Sequence, residues 1–231
     1  HDEERLMYKT LQFGNQENSD YDVQDLTIAL ERAGMTAAFH FGIPGPKMIW
    51  QFGELGYDIS IDYDCRVCPK PVKWEYYDDW RRHYLYEVYG ALAKLKTEYD
   101  VFETTSYSLD VDDALKKIRL DGDEMDVVIV GNFDVNQGEI NPEFYAAGTW
   151  YDYISGDSIQ VENPSDPLSL QPGEYHVYTS ERIQSSGLNV GFDNMDDNSH
   201  LSTTVYPNPS SGRFNIKMET GKTIEGSVAI Y

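Results

Sequence analysis

Near Tyr99 the periodicity of this 231-residue chain changes, and no single structural class accommodates both sides of the change. Before that point apolar residues fall at helical spacing. Leu26, Ala29, Leu30, Ala33, Ala37 and Phe41 lie close to the i, i+3, i+4 pattern of one helix face. A helix is expected from a cap at Asp22 to about residue 41, stopped by Pro44-Gly45-Pro46, because proline cannot donate and blocks the preceding turn. A second is expected from Asp78 or Asp79 to about Lys96, with the stripe Trp80, Tyr84, Leu85, Val88, Leu92 and Leu95. Between them, Lys47 to Phe52 reads as a short buried parallel strand. Residues 53–77 form a long loop, of the kind that usually carries function. After Tyr99 come short runs separated by turn formers: Lys116–Leu120, Met125–Phe133, Phe144–Tyr153, Ser158–Glu162, Leu168–Leu170 and Glu174–Thr179. Asp121-Gly122-Asp123 is a hairpin turn signal, and the all-apolar Val127-Val128-Ile129-Val130 marks a central strand of an all-β module. Ser185 to His200 has linker composition.

Charge narrows the partners. With 40 acidic and 18 basic residues the net charge is -22, which opposes binding to nucleic acid or to anionic lipid. No stretch approaches the roughly 18 apolar residues of a transmembrane helix. The 18 tyrosines suit a carbohydrate surface, where a ring covers a sugar face, but they suit β-strands as well. The cysteines are Cys65 and Cys68. A structural disulfide, with each other or with a cysteine elsewhere, ranks above metal binding, and redox catalysis ranks last. His83 and Glu87 share a helix face without a third ligand, and the groups Asp110, Asp112, Asp113 and Asp121, Asp123, Asp126 lack the spacing of a calcium-binding loop. Trp74 and Tyr76-Tyr77 read as a hydrophobic anchor before the second helix rather than as a sugar platform.

His1-Asp2-x-x-Arg5, the run from Phe41-Gly42-Ile43-Pro44-Gly45-Pro46 to Gly53-Glu54-Leu55-Gly56, and the later segments Val128–Phe133, Trp150–Gly156 and Leu170–Tyr178 follow one another in a meaningful order. This order resembles the C-terminal part of the α-amylase family, glycoside hydrolase family 13. The resemblance implies a multidomain α/β plus β chain. Residues 1–98 would be the last β/α units of a TIM (β/α)8 barrel, and 99–183 the all-β C-terminal sandwich, followed by a linker at 184–201. It also implies retaining hydrolysis of α-1,4-glucosidic bonds in starch or glycogen. Two carboxyl groups do that chemistry, one as nucleophile and one as acid, and in the family both precede the segment seen here. The piece alone would then be inactive. Asp2, at the end of the seventh barrel strand, would be the third active-site carboxylate, gripping sugar hydroxyls in the transition state. His1, Arg5 and Glu54 would bind substrate. No cofactor is implied within these residues, and structural Ca2+ in the longer parent would sit on upstream groups. The alternatives are a glucosidase or branching enzyme of the same family, or a non-catalytic glucan-binding surface protein.

The segment Val205-Tyr206-Pro207-Asn208-Pro209, with Gly212 and Phe214-Asn215-Ile216, resembles the sorting domain of type IX secretion. This implies a truncated β domain over 202–231, the type IX machinery as a partner, and delivery to the cell surface or medium.

Overall fold

The computed structural model describes residues 3–188, together with the backbone of 202–206 and 215–219. They belong to two compact units, His1–Val190 and Gly191–Tyr231.

Three helices open the first unit. Helix α1 (Leu6–Phe13) buries Met7. Helix α2 (Leu26–Gly42) begins at Asp25, three residues beyond the expected cap, whose carboxylate accepts from the Thr27 and Ile28 amides. Helix α3 (Trp80–Glu98) is capped by Asp79, which accepts from the Arg81 amide. Helix α2 packs along α3 through small and apolar residues such as Ala33, Ala37 and Leu85.

Eight strands follow: β1 (Tyr107–Asp110), β2 (Leu115–Leu120), β3 (Val127–Asn132), β4 (Gly138–Ile140), β5 (Gly148–Asp152), β6 (Ser158–Val161), β7 (Leu168–Leu170) and β8 (Tyr175–Thr179). Six form an antiparallel sheet in the order β1-β2-β3-β8-β5-β6, while β4 pairs with β7 in a second, small sheet. Every residue of β3 is buried. Alternation explains why: Val127 and Ile129 join a core with Met35, Ala38, Leu92 and Leu95 of the helices, while Val128 and Val130 join Ile140, Phe144, Trp150 and Leu170 on the other side. The large sheet is thus sandwiched between helices and small sheet. This is why its central strand reads as a continuous apolar run.

The strand expected from Lys47 to Phe52 does not form. Residues 46–50 have no regular structure, and Met48, Ile49 and Trp50 are 65%, 45% and 46% exposed. A strand exists only through its ladder, and among the described residues none lies beside this segment. Its end is turned aside instead: Gly53 N donates to Trp50 O at 2.7 Å, and Phe52 takes a left-handed φ of 56°. Among the described residues there is no closed barrel. The helices cover an antiparallel sheet.

In the second unit β9 (Ser202–Tyr206) pairs antiparallel with β10 (Asn215–Glu219), Tyr206 opposite Asn215. The sorting motif from Pro207 to Phe214 lies outside the described residues.

A buried ionic clip ties β5 to β8. Asp152, 4% exposed, accepts from the Ile154 and Val177 amides, the Ser155 hydroxyl at 2.8 Å and His176 Nδ1 at 3.0 Å. His176 Nε2 reaches Glu174 Oε1 at 3.0 Å. An imidazole held between two carboxylates is held as the imidazolium. Burial alone would push its pKa down, but the bonds to Asp152 and Glu174 outweigh burial and raise it to about 9. A raised pKa stabilises the fold fully below the ordinary histidine value and loses that contribution as pH climbs through the folded one. Stability should therefore fall by up to about 1.4 kcal/mol per pH unit between about pH 6.5 and 9. Urea denaturation across that range should show the slope in the native chain and not in His176→Gln. Equal slopes in the two would contradict the clip.

Candidate functional site

The site grows from one tight turn. The Gly53–Leu55 3-10 turn is bracketed by left-handed Phe52 and by Gly56 at φ 67°. A side chain at Gly56 would be strained by that φ, and its Cβ would collide with Leu30 Cδ2. Phe52, Leu55 and Tyr57 point inward and make a small core with Ile59 and Tyr76. Tyr57 donates to Pro71 O at 2.6 Å, closing the base of the following loop.

Arg82 holds the turn from α3. The residue is 6% exposed. Its Nη1 donates to Leu55 O at 3.0 Å and to Gly56 O at 2.6 Å, and its Nη2 to Asp58 Oδ2 at 2.8 Å. Tyr76 lies against the guanidinium, its ring centroid 3.8 Å from Cζ, and donates its hydroxyl to Asp58 Oδ1. Burial and the Asp58 charge push the Tyr76 phenol well above its ordinary range. Three acceptors are thus satisfied by one planar cation, as its fork geometry allows. The sequence reading missed Arg82. The available signal was its position, three residues before Leu85 on the buried face of α3.

The N-terminal segment docks on the same loop. Glu4 accepts from the Arg5 amide at 2.8 Å, the Ile61 amide at 2.8 Å and the Ser60 hydroxyl at 2.7 Å. Burial pushes its carboxyl up, but these hydrogen bonds outweigh burial and hold it below its ordinary value. Arg5 stacks its guanidinium 5.0 Å from the Trp50 ring centroid, and its buried Nε has no hydrogen-bond partner among the described residues. Glu54 sits in the 3-10 turn, where burial first and the Glu54 charge second push the Tyr89 phenol up to about 12. Among the described residues no hydrogen bond or ion pair joins Arg5 to Glu54. His1 and Asp2 lie outside the described residues.

The loop that follows is closed by a Cys65–Cys68 disulfide. Lys70 Nζ donates to three of its carbonyls, Tyr63 at 3.2 Å, Cys65 at 2.6 Å and Cys68 at 3.1 Å. The aromatic anchor before α3 is Tyr76 and not Trp74, which is 73% exposed and touches Phe52 edge-on at 4.9 Å. His83 packs on Tyr77 at 4.5 Å. The acidic turn residues serve local roles: Asp121 accepts from Ser106 Oγ and Asp126 from the Gly122 amide. Among the described residues no three His, Cys, Asp or Glu side chains gather where they could hold a metal ion.

No protein-family model matches the sequence, and no curated protein does. Solved structures do match. One is AmyP in complex with maltose, at TM-score 0.56 and 14% identity, covering 79% of this chain and 40% of that one. Another is an Anoxybacillus α-amylase, at TM-score 0.50 and 15% identity, covering 65% of this chain and 32% of that one. A third is a Bacillus licheniformis trehalose-6-phosphate hydrolase, at TM-score 0.51 and 16% identity, covering 78% of this chain and 41% of that one. The fold is similar to part of an α-amylase. At these identities the likeness is one of fold alone, and the chain spans less than half the length of each of these structures. No helix among the described residues is long and apolar enough to cross a membrane.

In this α-amylase-like arrangement the Arg82 contacts are the keystone of the turn. Arg82→Met should leave two carbonyls unpaired and Asp58 with Tyr76 alone, and should cost about 3 kcal/mol. Urea denaturation reads this directly. A loss below 1 kcal/mol, as an order-of-magnitude threshold for a surface pair, would show that the turn stands without Arg82.

Proposed function

We propose that this chain is the C-terminal part of a secreted α-glucan hydrolase that cleaves α-1,4-glucosidic bonds in starch or glycogen with retention. The observation that supports the reading is the similarity of fold to AmyP in complex with maltose over 79% of the chain. The quoted motifs add to it, because they fall in family order and the Gly53-Glu54 step falls on the turn that Arg82 fixes.

In this reading Asp2 supplies the third carboxylate, binding sugar hydroxyls more tightly as the ring flattens toward the oxocarbenium-like transition state. His1 donates to the same sugar. Arg5, stacked on Trp50, binds substrate, and Glu54 lines the cleft at the turn. The nucleophile and general acid belong to a part of the protein outside this sequence, as does any structural Ca2+. A glucosidase or transferase of the same family is the second reading. It is favoured by the similarity to trehalose-6-phosphate hydrolase and to a γ-cyclodextrin glucanotransferase, the latter at TM-score 0.51 and 18% identity.

Reducing-sugar release from soluble starch by the full parent protein tests the reading. Asp2→Asn should lower that rate by roughly 10³-fold while folding persists. Full activity in Asp2→Asn would remove the role given to Asp2, and an inactive parent would remove the hydrolase.

We also propose that residues 202–231 direct export by the type IX route. Removing them should retain the parent in the periplasm. Normal delivery of the shortened protein to the surface would contradict that role.

A further inference from the structure

The contacts of Glu4 have a use that the motif does not assign. Both of its carboxylate oxygens are taken by one short stretch, Ser60-Ile61, and that stretch opens the loop closed by Cys65–Cys68. The loop is built as one unit. Tyr63 N bonds back to Ser60 O, Cys65 N to Tyr63 O and Cys68 N to Cys65 O. Asp62 N bonds to Ser60 Oγ, the same hydroxyl that donates to Glu4. Lys70 then gathers the carbonyls of Tyr63, Cys65 and Cys68 on one ammonium. The bridge and the Cys68 amide bond to Cys65 O together close the turn that presents these carbonyls. The two cysteines are half-buried and Val67 between them is 93% exposed, so the bridge lies where a solution thiol can reach it.

We propose that Glu4 is a positioning residue, and that the disulfide-closed loop is its redox-dependent anchor. Glu4 lies two residues along the chain from Asp2, so whatever holds Glu4 limits where Asp2 can be; this step rests on the hydrolase reading above. The chemistry is thiol–disulfide exchange. A dithiol reductant attacks one sulfur, the Cys65–Cys68 bond breaks, each cysteine gains a proton, and the reductant leaves as its own disulfide. The opened turn no longer gathers the carbonyls on Lys70. Ser60 and Ile61 lose their fixed spacing, and Glu4 loses its clamp.

The Ile61 amide reports the clamp directly, because its hydrogen-bond acceptor is Glu4 Oε1 at 2.8 Å. Hydrogen exchange read by NMR on this chain should show that amide protected in the oxidised form. Exchange should be about tenfold or more faster after a dithiol reductant, in Glu4→Ala and in Lys70→Met. Lys70→Met keeps the disulfide and so separates the loop from its bridge. Glu4→Gln, which retains the acceptor oxygen, should restore protection to within about threefold. Unchanged protection of the β3 amides shows that the fold survives each change. If Ile61 exchanges equally in oxidised and reduced chains, the anchor is overturned. In the starch-cleaving parent, Glu4→Ala should lower kcat about tenfold with KM within about twofold. An unchanged kcat in that variant, with the Ile61 protection lost, overturns the positioning role. A parent without starch activity removes the hydrolase reading, and the exchange result then decides the anchor by itself.

Discussion

The double burial of β3 is the constraint on which the first unit depends. One face of this strand packs Val127 and Ile129 on the helices, and the other packs Val128 and Val130 on the small sheet. A strand with two dry faces joins helices and sandwich into a single core, so neither layer has an apolar face left open on this side. It follows that α2 and α3 take their positions from the sheet. The turn, the disulfide loop and the docked N-terminal segment in turn take theirs from α3, through Arg82. The candidate site is therefore a surface held at the far end of a packed stack, with little core of its own beyond Phe52, Leu55 and Tyr57.

This division shows in how the two ends are stabilised. Apolar burial does the work around β3. Around the turn it is done by charge-assisted hydrogen bonds: Arg82 to two carbonyls and Asp58, Glu4 to Ser60 and Ile61, Lys70 to three loop carbonyls. Such bonds are directional, and they fix loop geometry more tightly than they add stability. The motif residues at the β5–β8 junction follow the same logic, since Asp152, Glu174 and His176 hold the two strands together.

Much of this was legible in the sequence, for reasons that are local. The apolar run Val127–Val130 reads as a central strand and forms one, and Leu168–Leu170 appears with the bounds expected of it. Asp79 caps α3 because a short side chain there can reach a free helix amide. What was not legible depends on partners distant in sequence. Lys47 to Phe52 looks like a strand by composition, but a ladder needs a neighbour, and a short apolar run cannot report whether one is present. Strands β1 and β4 escaped notice because β1 is exposed throughout and β4, Gly138-Glu139-Ile140, carries a single apolar side chain. Of the named site residues, Arg5 and Glu54 fall on the docked segment and the turn, while Arg82 and Glu4, which build the site, carry no motif. Of the expected anchor residues Tyr76 packs on Arg82 while Trp74 stays exposed, because burial depends on which ring faces the guanidinium.

The central claim is that this turn and the segment docked beside it form one wall of a glucan-binding cleft. A crystal structure of the parent protein soaked with maltotriose tests it most directly. The account predicts sugar hydroxyls within hydrogen-bonding distance of the Asp2 carboxylate, with the ring on the side of the Gly53–Gly56 turn. Sugar bound elsewhere, with Asp2 turned away from it into solvent, would contradict the account.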